Sequence, residues 1–196
     1  MDRQVGWQEP GGWLSRARHI ESPNQDERPP GMSVDLLVIH YISLPPGVFR
    51  GDAIERLFTN RLAGHEDPRL ASLSTLRVST HFLIRRTGEL IQFVGTNRRA
   101  WHAGESRLGE RTRCNDFSIG VELEGDGEHS FTQRQYRRLA WLVKALRERH
   151  PLALIAGHSD IAPERKQDPG PQFDWRWLMT QPSAAALVRP PPARPR

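Results

Sequence analysis

A chain of 196 residues, 37% hydrophobic and 26% charged, is long enough to bury one core of ordinary size without disulfide staples, which excludes the fibrous and disordered classes and predicts a soluble globular protein. No run approaches the roughly 20 apolar residues of a membrane span, and the start, Met1 to Pro10, carries an acid and a proline where a secretory signal would be apolar, so the cytoplasm is the expected compartment. The net charge of +5 and pI near 10.3 favour anionic partners, yet part of the excess lies in Arg189, Arg194 and Arg196 of a Pro-rich end; without that tail the body is close to neutral and nucleic-acid binding loses most of its support.

Residues 1 to about 33, punctuated by Gly11-Gly12, Pro23 and Pro29-Pro30-Gly31, read as an irregular N-terminal arm. Trp7, Trp13 and Leu14 are available to pack on the body, and one short helix is expected near Trp13 to Arg18. Val34 to Ile42 is a continuous apolar, β-branched run, the pattern of a strand buried on both faces, and it stops at Pro45-Pro46-Gly47. Ile54, Leu57 and Phe58 stand at helical spacing within Ala53 to Asn60. A long loop, Arg61 to Leu76, follows and is expected to cover part of a site.

Ser79 to Ile84 and Leu90 to Val94, joined through Arg85-Arg86-Thr87-Gly88-Glu89, predict a hairpin. Ala100 to Glu110 is a second loop, with Trp101, His102 and Gly104. Phe117 to Leu123 predicts another strand, entered past Cys114. This single cysteine excludes an internal disulfide and reads as a small side chain at the strand entrance rather than a reactive thiol. Thr132 and Gln135 form a capping-box pattern, and Tyr136, Leu139, Ala140, Val143 and Leu146 continue it as an amphipathic helix to about Arg149, ended by Pro151. Leu152 to Ala156 is a last strand, Phe173 to Met179 a closing helix, and 181–196 a Pro/Arg-rich tail expected to be disordered. The order strand, helix, hairpin, strand, helix, strand implies an α+β domain over 34–180, with a central mixed sheet flanked by helices.

Two imidazoles and a carboxylate stand at the ends of this pattern. His40 closes the first apolar run, while His158 and Asp168 lie in the turn-rich segment Gly157 to Pro171. Brought together, they would give Zn²⁺ three ligands and leave a fourth position for water, whose pKa the metal lowers to about 7. By residue type alone each has a plain alternative. A lone histidine is usually a hydrogen-bonded interior or surface residue, and Asp168 before Pro169-Gly170 suits a turn. His81, inside an apolar strand, reads as packed; His19, His65, His129 and His150 read as exposed. Trp101 offers a flat face to a sugar ring and His102 beside it a substrate contact, against simple packing. Arg77 and Arg113 could clamp carboxylates with two-pronged guanidinium pairs, against ordinary surface charge.

The segments Leu37-Val38-Ile39-His40, Arg77 to Arg86, Ala100-Trp101-His102-Ala103-Gly104, Asn115 to Glu122 and Gly157 to Pro171 together resemble the zinc-dependent N-acetylmuramoyl-L-alanine amidases, whose fold is shared with peptidoglycan recognition proteins. The resemblance spans about residues 5 to 178. It implies His40, His158 and Asp168 as ligands of one zinc ion, Glu122 as catalytic acid/base and Lys166 as the group that stabilises the oxyanion. Tyr41 departs from the Asn that often follows the first ligand, a change at the rim of the site. Chain length and the Ile42 to Gly47 and Arg113 to Phe117 pieces resemble the cytosolic members that act on soluble 1,6-anhydro-muropeptides during wall recycling. That implies a small-molecule substrate rich in carboxylates, no nucleic-acid or membrane partner, and a monomer.

Overall fold

The computed structural model describes residues 6–63 and 67–191. Its centre is a six-stranded mixed sheet of β1 (Arg18–His19), β2 (Leu36–Ile42), β3 (Phe82–Ile84), β4 (Leu90–Gln92), β5 (Ser118–Glu124) and β6 (Leu154–Gly157), in the order β6-β2-β5-β3-β4-β1. β6, β2, β5 and β3 run parallel; β4 is antiparallel to β3, the expected hairpin, and β1 is parallel to β4. Among the described residues there are four α-helices: α1 (Ala53–Phe58), α2 (Gln133–Arg149), α3 (His158–Ile161) and α4 (Trp175–Met179).

Because successive side chains of a strand face opposite ways, each central strand serves two layers. Leu37 and Ile39 of β2 join Ile119, Val121 and Leu123 of β5, Ile155 of β6 and the apolar stripe Leu139, Leu142, Val143 and Leu146 of α2 in the largest core cluster. Full burial of each such side chain stabilises the fold by about 1.5–3 kcal/mol. Thr132 caps α2 reciprocally: its Oγ1 accepts from the Gln135 N–H at 3.2 Å, and the Gln135 side chain accepts from the Thr132 N–H at 2.9 Å. The Gln135 amide also donates to the Glu124 carbonyl at 2.9 Å, pinning the helix start to the end of β5.

The opposite face is divided. Toward β4, Leu83, Ile91 and Phe93 pack with Ile54, Leu57 and Phe58 of α1; toward β6, Leu36, Val38 and Ala156 pack with Ala103, Leu108, Cys114, Phe117 and Ile161. His40 continues the Leu36–Val38 row and Glu122 the Ser118–Gly120 row, and the two are register partners in β2 and β5. They lie at the carboxyl ends of parallel strands, the edge where open α/β sheets place their ligands.

Three expectations are corrected. Trp13 to Arg18 is not helical: Trp13–Leu14 pairs with Trp7–Gln8, and Arg18–His19 joins the sheet. The reason is tertiary: the Leu14 N–H donates to the Gln92 side chain at 2.7 Å, and Gln92 in turn donates to the Gly12 carbonyl at 2.9 Å, which holds this segment against the sheet. The chain from 181, expected to be disordered, packs on the body as far as Arg189, with Ala184 and Leu187 buried and Val188 paired to the open edge of β6; 192–196 lie outside the described residues. The loop after α1 is partly regular, a 3₁₀ turn over Pro68–Leu73 whose Leu70 is buried against the α1 cluster. His65 lies outside the described residues.

Candidate metal centre

His40, on the fifth position of β2, and His158, the first residue after β6, bring their Nδ1 atoms to 3.0 Å of each other. Asp168 Oδ2 lies 2.9 Å from the first and 3.1 Å from the second. Gly157 lets the Asp168 loop come this close: a Cβ there would meet the Pro169 ring at 2.6 Å. The Ser159 N–H then ties the loop by donating to the Asp168 carbonyl at 2.8 Å.

The surrounding hydrogen bonds settle which ring nitrogens carry protons. The Ala103 carbonyl, which can only accept, lies 3.1 Å from His158 Nε2, so Nε2 holds a hydrogen, and in the neutral tautomer Nδ1 presents a lone pair. On the other side the Ser118 hydroxyl donates to the Cys114 carbonyl at 2.6 Å and must therefore accept from His102 Nε2 at 3.1 Å. His102 Nδ1 is left to accept from His40 Nε2 at 3.0 Å, which bares His40 Nδ1 in turn. Burial, reinforced by the neighbouring His158, pushes His40 down to about 4, and burial with His40 and His81 beside it holds His102 well below the ordinary imidazole value, so both rings are neutral. With the His40 and His158 rings in the neutral form, two nitrogens and a carboxylate oxygen converge as three candidate ligand atoms.

Bare acceptors at about 3 Å repel unless a cation lies among them. A tetrahedral zinc with ligand bonds near 2.0–2.1 Å separates its ligands by about 3.3 Å, so the N₂O set fits that ion in kind and in spacing. Two hydrogen-bonded imidazoles and a carboxylate are also its usual partners, each ring oriented by its outer nitrogen.

Glu122 faces this cluster, buried to 8% exposure, with Oε2 sealed from solvent and without a hydrogen-bond partner. Burial, then the Asp168 carboxylate, raises it well above the usual carboxylate range, opposed by the Lys166 ammonium. A buried carboxyl without a hydrogen-bond partner is costly to ionise, and a strongly raised proton affinity is a mark of acid/base sites. Lys166 is exposed, held through its backbone N–H to the Ala162 carbonyl at 3.0 Å, and its charge reaches both Glu122 and His40. Tyr41 is half-buried at the rim, its ring against Gly127.

The four expected substrate contacts are scattered. His102 has both ring nitrogens taken and lies over Gly120, where a Cβ would clash with the ring at 2.5 Å; the contact it makes is with His40. Trp101 is half-buried, its backbone exchanging hydrogen bonds with Ser79. Arg113 is exposed, pairs with Asp116 at 3.2 Å and lines a cleft of about 340 Å³ with Arg107, Thr112, Glu105 and Arg165. Arg77 is not among that lining; its guanidinium binds the Ser74 and Leu76 carbonyls. His81 is buried, its Nδ1 accepting from the Gly120 N–H at 3.1 Å, and His150, expected to be exposed, is partly buried, which pushes it down to about 4. Burial raises the Cys114 thiol to about 11, so it is inert.

The relay through His102, Ser118 and the Ala103 and Cys114 carbonyls was not legible from residue types. One signal was present: a glycine inside an apolar strand, Gly120, marks a place where something approaches the backbone closely.

An α+β sheet with three bare ligand atoms and an unpartnered carboxyl at its carboxyl edge is the layout of a metal-assisted hydrolase. The chain belongs to the N-acetylmuramoyl-L-alanine amidase family, whose model matches residues 30–171, and is an amide hydrolase. Over 166 residues it is 51% identical to the 1,6-anhydro-N-acetylmuramyl-L-alanine amidase AmpD of Citrobacter freundii, covering 84% of this chain and 89% of that one. The crystal structure of a selenomethionine AmpD derivative superposes with a TM-score of 0.84 at 47% identity, covering 91% of this chain and 98% of that one. The amidase AmiD from Escherichia coli, solved in complex with the substrate anhydro-N-acetylmuramic acid-L-Ala-D-gamma-Glu-L-Lys, superposes with a TM-score of 0.58 at 30% identity, covering 79% of this chain and 60% of that one.

Proposed function

We propose that this chain is a zinc-dependent amidase that hydrolyses the amide bond between the lactyl group of 1,6-anhydro-N-acetylmuramic acid and L-alanine, acting as a cytoplasmic monomer on soluble muropeptides. The observation that carries the reading is the meeting of three candidate ligand atoms, His40 Nδ1, His158 Nδ1 and Asp168 Oδ2, beside the unpartnered Glu122 Oε2. The substrate is supported by AmpD relatives that match this chain over most of its length.

His40, His158 and Asp168 hold the ion, which when bound supplies a water nucleophile at neutral pH and polarises the scissile carbonyl. Glu122 Oε2 takes a proton from the attacking water and delivers it to the leaving nitrogen of L-alanine as the C–N bond breaks. Its proton affinity, raised by burial and Asp168, favours taking up the proton that it then passes on. The Lys166 ammonium offsets the charge that develops on the attacked oxygen. His102 and Ala103 orient the two imidazoles, and Arg77, Arg113 and Trp101 remain candidates for the peptide carboxylates and sugar.

Metal analysis and turnover test this directly. The expected result is about one zinc per chain and rapid cleavage of anhydro-muropeptide between the lactyl group and L-alanine. A wild-type chain without zinc overturns the metal assignment, and intact sacculi cut as fast as the anhydro-muropeptide overturn the recycling substrate.

A further inference from the structure

Arg189 lies beyond residues 30–171, the span of the family model, in the segment that reads from sequence as a disordered tail. In the fold its position is set by the residue before it. The Val188 N–H donates to the Ala153 carbonyl at 2.8 Å and its carbonyl accepts from the Ile155 N–H at 3.0 Å, adding a rung to the open edge of β6. Leu187 and Ala184 are buried beneath it. The Arg189 guanidinium then grips Asp160, with Nη2 3.1 Å from each carboxylate oxygen and Nε 3.2 Å from Oδ2, while its flat face lies 4.2 Å over the Trp175 ring.

Asp160 is buried at 4% exposure, and its other contact is the Gly157 N–H, which donates to Oδ2 at 2.8 Å. Gly157 is where β6 ends and α3 begins; the next residue is His158, and Ser159 holds the Asp168 loop. A carboxylate this deep needs its cationic partner. Without Arg189 the carboxylate loses its two-pronged anchor and can swing toward water, which loosens the hydrogen bond that fixes the Gly157 turn. We propose that Arg189 is a positioning residue for the metal centre: through Asp160 it locks the turn that aims His158 and docks Asp168. The inference rests on the zinc reading of that centre.

Zinc dissociation constants measured by chelator competition, together with melting temperatures of the metal-free proteins, test it. Arg189→Ala is expected to weaken zinc about tenfold, at the lower end of what outer-shell partners of a ligand contribute. It should also shift the visible absorption of the Co²⁺-loaded protein. Asp160→Asn should do the same, and the double variant should be no worse than either single one, because both break one route. Should Arg189→Ala fail to fold, Arg189→Lys keeps the cation but loses the two-pronged grip, and about the same loss of zinc affinity is expected. A merely structural contact would lower the metal-free melting temperature and leave zinc affinity and the Co²⁺ spectrum unchanged, and that result overturns the proposal. Losses that multiply in the double variant overturn the route through Asp160. A wild-type chain that binds no zinc removes the proposed function itself, whereas wild-type binding with an unaltered Arg189→Ala variant removes only the role of Arg189.

Discussion

The two faces of the β2–β5 pair are made of alternate residues of the same strands and follow different rules. Leu37 and Ile39 with Ile119, Val121 and Leu123 meet the apolar stripe of α2 in the largest apolar cluster. One residue further along the same strands, His40 and Glu122 face the opposite way, between two smaller apolar clusters, beside the nitrogen and oxygen atoms of His158 and Asp168. The first face is made by apolar packing and supplies stability; the second leaves a buried carboxyl oxygen without a hydrogen-bond partner. Packing on one side over-determines the strands, which is what allows strain on the other.

That separation can be broken most sharply at the ligands. His40→Ala, His158→Ala and Asp168→Ala are expected to lose zinc and at least 10³-fold in turnover, while the metal-free proteins melt close to the metal-free parent, as metal analysis and calorimetry would read. Glu122→Gln should keep zinc and lose about 10²–10⁴ in kcat, the usual span for a positioned acid/base. Wild-type turnover there would move proton transfer to another group.

The same residue sharpens the contrast through pH. Because burial and Asp168 raise the Glu122 carboxyl above 4.5, its contribution to stability is complete below that value and is lost as pH rises through the raised one. The metal-free Glu122→Gln variant should therefore gain on the parent in melting temperature as pH rises above 4.5 and through the raised value. A constant difference across that range would mean that the carboxyl titrates normally.

On the apolar face the effects are ones of stability alone. Leu142→Ala, fully buried on the inner face of α2, should cost about 2–5 kcal/mol in denaturant unfolding with zinc affinity unchanged. Thr132→Ala, which removes one half of the capping box, should cost about 1 kcal/mol. Loss of zinc in either would show that the two faces are coupled.

Elements with a strong period were plain in the sequence. The hydrocarbon run of β2, the capped stripe of α2 and the hairpin through Gly88 each carry their structure in local spacing, and the observed bounds fall within a few residues of those expected. Trp13 to Arg18 was misread because the partner that claims its backbone, Gln92, is 78 residues away. The ends of the molecule show the same limit: a Pro/Arg-rich composition describes a solvated chain, and nothing local announces that Val188 finds an open sheet edge or that Arg189 finds Asp160.

By itself the sequence determined the α+β class, the order of elements and, through its resemblance to a family, the candidate ligands and the carboxyl beside them, because periodicity and motif spacing are local properties. Only the tertiary structure decided which nitrogen of each imidazole points into the His40–His158–Asp168 cluster, that His102 hydrogen-bonds His40, and that the C-terminal segment belongs to the body. Those outcomes depend on hydrogen bonds between residues more than ten positions apart in the chain, and such bonds exist only once the sheet has brought their partners together.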